Sequence, residues 1–284
     1  MTVTPKTVTP NTVYFIGAGP GAADLLTLRA KELIERCPVI LYAGSLIPDD
    51  MLKFAQKNAR IINTASLTLE EIITEFETAK ANGQDMARLH SGDTALYSAI
   101  GEQISALKAL EIAYEIVPGV PAFAAAAAAL GNELTIPFLN QTVILTRTSK
   151  RASAMPDGES LKLLGQSGAT LAIHLSASNI DKITEDLTPL YGADCPVVIA
   201  SEVTWPSEKL IRTTLQGLDA AIKTHQIKRT AIIFVGRALA EPEADLRRDV
   251  GEGSNEQQLN QRSEKRRSAL YDAAHDRHLK PATK

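Results

Sequence analysis

The chain has 284 residues, enough for two domains of ordinary size, and 44% of them are hydrophobic, so a sizeable core is available and wholesale disorder is excluded. A formal net charge of -3 argues against broad nucleic-acid binding, which needs a basic surface. The two cysteines, Cys37 and Cys195, lie far apart, each beside a proline at a strand start; they read as buried free thiols in a reducing cytoplasm.

Residues 1–11 are rich in Thr and Pro and lack the charged start and apolar stretch of a signal peptide, so they read as a flexible leader. The folded chain begins with an apolar strand, Val13–Gly17, that runs into the turn Gly17-Ala18-Gly19-Pro20-Gly21-Ala22. Glycine has no Cβ, so such a turn lets a ligand approach the backbone at the carboxyl end of the strand. The spacing Gly17-x-Gly19-x-x-Ala22 meets the loose dinucleotide-binding pattern. That pattern also wants a carboxylate at the end of the second strand, for the ribose hydroxyls. The second strand, Val39–Tyr42, ends in Ala43-Gly44-Ser45 instead, and Pro20 stiffens the turn ahead of the helix. A tight strand-to-helix turn without a ligand remains the plain alternative for this motif alone.

Strands and helices then alternate. The strands are Val39–Tyr42, Arg60–Asn63, Met86–His90 and Tyr114–Val117, and the helices are Leu25–Arg36, Asp49–Lys57, Leu69–Ala81 and Ser98–Leu110. Thr68 with Glu71 forms a capping box for the third helix. Alternation of this kind implies a parallel sheet with helices on its faces. After Pro137 the texture changes. Thr142–Thr146, Thr170–Leu175, Val197–Glu202 and Ala231–Gly236 read as core strands, and Glu208–Leu215 pairs with the Val197 strand as a hairpin across the turn Trp205-Pro206-Ser207. The expected fold class is α/β in two domains, a parallel-sheet N-terminal domain over 12–136 and a mixed-sheet C-terminal domain over 137–240. Residues 241–284 form a charged, polar tail that reads as mostly flexible.

Three further stretches fall at strand ends. Arg88-Leu89-His90-Ser91-Gly92-Asp93-Thr94-Ala95-Leu96-Tyr97 offers a turn with backbone amides and one carboxylate; Asp93 as a simple helix cap is the alternative. Val117-Pro118-Gly119-Val120-Pro121-Ala122 leads into Phe123–Leu130, a helix thinned by six consecutive alanines, or else is a plain turn. Gln141–Arg151 follows a buried strand with the cations Arg147, Lys150 and Arg151, which suit an anionic substrate or form a solvated basic loop.

Together the stretches Gly17–Gly21, Ser91-Gly92-Asp93 and Pro118–Ala122 resemble the tetrapyrrole methylases, over about Thr12 to Leu239. Leu41–Ile47, Phe123 with its alanine run, Gln141–Arg147 and the tail from Ser268 to Pro281 are similar to the branch acting at C-11 of precorrin-4. Ala43 stands where uroporphyrinogen-methylating relatives usually carry Asp. Thr94, Ser98 and Pro121 depart from the branch's usual residues on the expected cofactor wall. The resemblance implies S-adenosylmethionine as cofactor, in a cleft between the domains, bound by Pro20, Ser91, Gly92, Asp93, Leu96, Pro121, Ala122, Leu175, Val203 and Ala231. It implies precorrin-4 or its cobalt form as substrate, and a homodimer. The substrate's carboxylates call for positive charge, expected from Arg88, His90, Arg147, Lys150 and Arg151. No metal is expected: displacement from a sulfonium needs none, and the helically spaced His275 and His278 fall in the tail. An RNA ribose methyltransferase of related fold and a non-catalytic nucleotide-binding module are the rival readings; the first would predict salt-sensitive RNA binding.

Overall fold

The computed structural model describes residues 11–137, 139–149, 154–228 and 230–240; the leader, the tail with His275 and His278, and Lys150 and Arg151 lie outside the described residues. The chain clusters into two compact units. The first runs to Ala129 and includes Glu202–Glu208; the second takes Leu130–Ser201 and the chain from Lys209 onward.

The first unit is built on a five-stranded parallel sheet in the order β3-β2-β4-β1-β5. Its strands are β1 (Thr12–Gly17), β2 (Val39–Tyr42), β3 (Arg60–Asn63), β4 (Met86–His90) and β5 (Ala113–Val117). Side chains alternate across the sheet, so β1 feeds two cores. Tyr14 and Ile16 pack with Ala30, Leu33 and Ile34 on one face; Val13 and Phe15 pack with Ile72, Phe76 and Leu107 on the other. Burial on both faces suits the apolar runs of β1 and β2, whereas the edge strand β3 is largely exposed.

The helices on these faces are α1 (Leu28–Arg36), α2 (Leu69–Ala81), α3 (Ile100–Ala109) and α4 (Ala122–Leu130). The Thr68–Glu71 capping box of α2 is present. Three expected helices are shorter than their periodicity suggests. Ala23–Leu25 forms a separate 3-10 turn, and α1 begins only after Thr27, whose side chain accepts the Ala30 amide and caps it. Asp49–Phe54 is a 3-10 helix that ends at the extended Ala55. The start of α3 is delayed to Ile100 because Ala99 sits in the left-handed region at φ 49°.

The second unit carries a mixed five-stranded sheet, β6-β7-β10-β8-β9, of β6 (Val143–Arg147), β7 (Thr170–His174), β8 (Pro196–Ser201), β9 (Lys209–Thr214) and β10 (Ala231–Val235). Strands β6 and β7 are parallel, β10 runs antiparallel to both β7 and β8, and β8–β9 is the expected hairpin. Leu171, Ile173, Val197, Ile199 and Ile233 face a core shared with α5 (Leu161–Leu164), α6 (Ile180–Tyr191) and α7 (Leu218–Thr224). Both cysteines are buried and neither is in a disulfide. Among the described residues no helix is long and apolar enough to cross a membrane.

Candidate functional site

The carboxyl ends of β1, β4 and β5 lie side by side, and their loops are bonded to one another. The Ala18 amide donates to the His90 carbonyl at 2.8 Å, and Gly19 and Gly92 exchange amide-to-carbonyl bonds at 3.1 and 2.7 Å. Asp93 extends the tie to β5. Its Oδ2 accepts the Gly119 amide at 2.7 Å, and its Oδ1 accepts the Ala95 amide at 2.7 Å. Charge-assisted bonds of this type are roughly twice as strong as neutral ones. Asp93 is therefore more than the helix cap of the simpler reading, since it joins two loops.

This joining explains two glycines. A Cβ at Gly17 would lie 2.6 Å from the Gly119 nitrogen, and one at Gly119 would lie 2.5 Å from the Gly17 carbonyl oxygen. Backbone meets backbone here, so no side chain can swing aside. The glycines at 17 and 119 let three loops close on each other.

The Gly-Pro-Gly turn is covered by its own unit. The Ala22 amide donates to Thr204 Oγ1 at 2.8 Å, and the indole Nε1 of Trp205 donates to the Pro20 carbonyl at 2.9 Å. A Cβ on Gly21 would collide with the Trp205 ring. The pattern Gly17-x-Gly19-x-x-Ala22 thus turns inward on a tryptophan, and no carboxylate follows β2 to hold a ribose.

Of the residues expected to hold a cofactor, seven from the strand-end loops fall on this one rim: Pro20, Ser91, Gly92, Asp93, Leu96, Pro121 and Ala122. Pro20 and Gly92 are buried, whereas Ser91, Asp93, Leu96, Pro121 and Ala122 are half-exposed. Val203 belongs to the same unit; it is buried and flanked by Glu202 and Thr204, both in the left-handed region at φ 49° and 68°. Leu175 and Ala231 belong to the second unit. Leu175 directly follows β7 and is 65% exposed with φ 54°, a strained backbone carrying an apolar side chain into solvent. Ala231 is buried at the start of β10.

The expected substrate cations divide. Arg88 does not present its guanidinium outward. It is buried, its Nε donating to Gln103 Oε1 at 3.2 Å and its Nη1 to Thr64 Oγ1 at 3.0 Å. The physical reason is register: Arg88 pairs with Phe15 on β1 and Leu41 on β2, both core positions, so its side chain enters the layer under α3. Burial lowers its pKa to about 10, still a cation at neutral pH. His90, two residues on, tilts against the Phe15 ring at 5.9 Å, and its buried Nε2 has no hydrogen-bond partner. Burial, and then the nearby Arg88, push its pKa down to about 3, so the imidazole is neutral. Its lateral positions on β1 and just beyond β2 are Gly17 and Ala43, neither of which carries a polar side chain. Arg147 closes β6 and is half-exposed.

Sequence reasoning missed Thr204, which falls in no motif, Trp205, which reads only as part of a hairpin turn, and Thr64 and Gln103, the partners of Arg88. The available signal was the single tryptophan of the chain, set in a loop rather than a core strand. Among the described residues no group of three or more His, Cys, Asp or Glu is placed to hold a metal.

Small and apolar surfaces from Pro121, Ala122 and Leu96 stand beside the polar Ser91 and Asp93, and an unpaired imidazole nitrogen lies buried within the same strand-end region.

Comparison with known proteins agrees. Residues 12–219 match the family model of tetrapyrrole (corrin/porphyrin) methylases. A precorrin-4 C(11)-methyltransferase of Sinorhizobium sp is 48% identical, covering 95% of this chain and 98% of its own length. A cobalt-precorrin-4 C(11)-methyltransferase of Methanocaldococcus jannaschii is 42% identical, over 80% of this chain and 88% of its own. The crystal structure of a cobalt-precorrin-4 methyltransferase from cobalamin biosynthesis superposes with a TM-score of 0.79 at 40% identity, over 81% of this chain and 97% of that one. The parallel sheet ending in the Gly17–Gly21, Ser91–Asp93 and Pro118–Ala122 loops, the mixed second sheet and these matches lead to one conclusion: the chain belongs to the tetrapyrrole methylases.

Proposed function

We propose that this chain transfers a methyl group from S-adenosylmethionine to C-11 of precorrin-4 in corrin assembly. The observation that carries the reading is identity of 48% along almost the whole of a relative named for that reaction. The metal-free macrocycle is favoured as substrate over its cobalt form because the relative named for the cobalt form is less similar, at 42%. The working protein is a cytoplasmic homodimer in this reading.

When bound, the cofactor supplies a methyl group on a sulfonium, a leaving group already activated by its charge. The protein's contribution is then placement. Well-oriented approach alone supplies roughly 7–11 kcal/mol of barrier reduction. Pro20, Ser91, Gly92, Asp93, Leu96, Pro121, Ala122 and Val203 are the proposed cofactor contacts on the first unit, with Leu175 and Ala231 as contacts from the second. The bonds among the β1, β4 and β5 loops support this role, since a rim already satisfied internally needs little reordering on binding.

For the substrate, Arg147 with Lys150 and Arg151 are proposed to meet carboxylates directly. His90 is buried and neutral, so it is not proposed to supply the positive charge expected of it. Arg88 contributes its charge from the interior rather than by contact. Single-turnover transfer from labelled cofactor to precorrin-4, cobalt-precorrin-4 and uroporphyrinogen, each offered separately, tests the reading. Labelling of precorrin-4 at C-11 supports it, and labelling of uroporphyrinogen alone overturns it.

A further inference from the structure

The loop Glu202–Glu208 joins two strands of the second sheet yet clusters with the first unit. Three observations mark it as more than a connection. Two of its residues, Glu202 and Thr204, hold left-handed backbone, at φ 49° and 68°, where side chains other than glycine are strained. Both anchors reach one turn: Thr204 Oγ1 takes the Ala22 amide at 2.8 Å, and Trp205 Nε1 is given to the Pro20 carbonyl at 2.9 Å. The fit is steric as well, because only glycine at position 21 leaves room for the indole.

We infer that Thr204 and Trp205 are positioning residues for cofactor binding. Between the two strained positions sits Val203, buried at 6% exposure. The bonds from Thr204 and Trp205 fix the backbone on either side of Gly21, from the Pro20 carbonyl to the Ala22 amide. One loop therefore sets two proposed cofactor contacts, Pro20 and Val203, in a fixed relation, and the strain in the loop is held by the same two bonds. Neither residue touches the reacting atoms; each acts through the contact it orients. The inference rests on the methyltransferase reading of the rim.

The test uses the full chain and S-adenosylhomocysteine, measured by calorimetry at 25 °C, with unliganded thermal melting as a separate readout. Trp205→Phe keeps an aromatic side chain but removes the Nε1 donor and the five-membered ring that packs on Gly21; Thr204→Val keeps the shape and removes the acceptor. Each raises Kd by roughly five- to tenfold, the scale of one lost hydrogen bond. Thr204→Ser, which keeps the oxygen, binds like the wild type, and KM for the tetrapyrrole is unchanged in all three. In the wild type, cofactor binding increases protection of the Ala22 amide against hydrogen exchange and shifts the emission of the single tryptophan.

Lower melting temperatures with unchanged Kd would make the loop merely structural and overturn the inference, as would an Ala22 amide and a tryptophan emission indifferent to cofactor. The wild-type measurements decide the matter even where a variant fails to fold. Absence of any cofactor binding by the wild type is a different result, and it defeats the methyltransferase reading itself.

Discussion

Asp93 Oδ2 accepts the backbone amide of Gly119 at 2.7 Å, so a side chain at the end of β4 holds the loop that follows β5. Its second oxygen is taken by the Ala95 amide, also at 2.7 Å. Removing both acceptors leaves two amides to find new partners. Asp93→Ala should cost about 2–3 kcal/mol of stability, and Asp93→Asn, which keeps one acceptor oxygen, about 1 kcal/mol. Urea unfolding of the two variants measures this; equal small losses would show that the loops are held by other bonds.

Glycines at two positions should behave oppositely. A Cβ at Gly119 meets the backbone of Gly17 at 2.5 Å, whereas a Cβ at Gly101 within α3 meets nothing within 4 Å. Gly119→Ala forces the loops apart and should weaken both stability and cofactor binding, by more than 2 kcal/mol in stability, in the range typical of overpacked cores. Gly101→Ala should stabilise by about 0.5–1 kcal/mol through helix propensity and a less flexible unfolded chain. Thermal melts of both variants make the contrast; destabilisation by Gly101→Ala would contradict the open surroundings described for it.

Acid should unfold the protein partly through its buried histidines. The folded pKa of His90 is down at about 3, from burial and then Arg88, and that of His174 is down at about 4, from burial. Each unfolded imidazole takes a proton near pH 6.5 while the folded one does not, so the stability these groups contribute is present above pH 6.5. It is lost as pH falls from 6.5 toward 3 for His90 and toward 4 for His174. The slope is about 1.4 kcal/mol per pH unit per histidine across the window. His90→Gln should reduce the slope between pH 6 and 4.5 by that amount, read from urea unfolding at each pH. An unchanged slope would mean that His90 is protonated in the folded state.

Leu175 carries strain in an exposed apolar side chain, with φ 54°. Leu175→Gly should leave the unliganded protein as stable or more so, since a left-handed L-residue costs roughly 1–2 kcal/mol and glycine pays little of it. As a proposed cofactor contact, its loss should raise KM for S-adenosylmethionine several-fold. Calorimetric melting and initial rates separate the two effects; an unaltered KM would remove Leu175 from the site.

Much of the fold is legible in the sequence, because apolar runs bounded by Gly and Pro survive tertiary packing. Strands β2, β3 and β4 have the bounds read from the sequence, and the β8–β9 hairpin follows from Trp205-Pro206-Ser207. Helix starts were less visible. The apolar period from Leu25 onward runs straight through Thr27, and only the bond from its side chain to the Ala30 amide shows where α1 begins. Helix α6 carries Pro189 in its last turn, where the missing amide leaves the Glu185 carbonyl without its helical donor and the helix ends two residues later. The rim itself was visible as three motifs. Its internal bonding was not, because Asp93–Gly119 and Trp205–Pro20 join residues 26 and 185 positions apart. The inward turn of Arg88 was hidden for the same reason: strand alternation is local, but which face lies under α3 is set by the order of strands in the sheet.

The most direct measurement of the central claim is single-turnover methyl transfer by the intact chain from labelled S-adenosylmethionine to precorrin-4, with mass spectrometry and NMR locating the new methyl group. One methyl at C-11, transferred faster than to cobalt-precorrin-4 and absent from uroporphyrinogen, is the predicted result. Cofactor binding without transfer to either precorrin would contradict it.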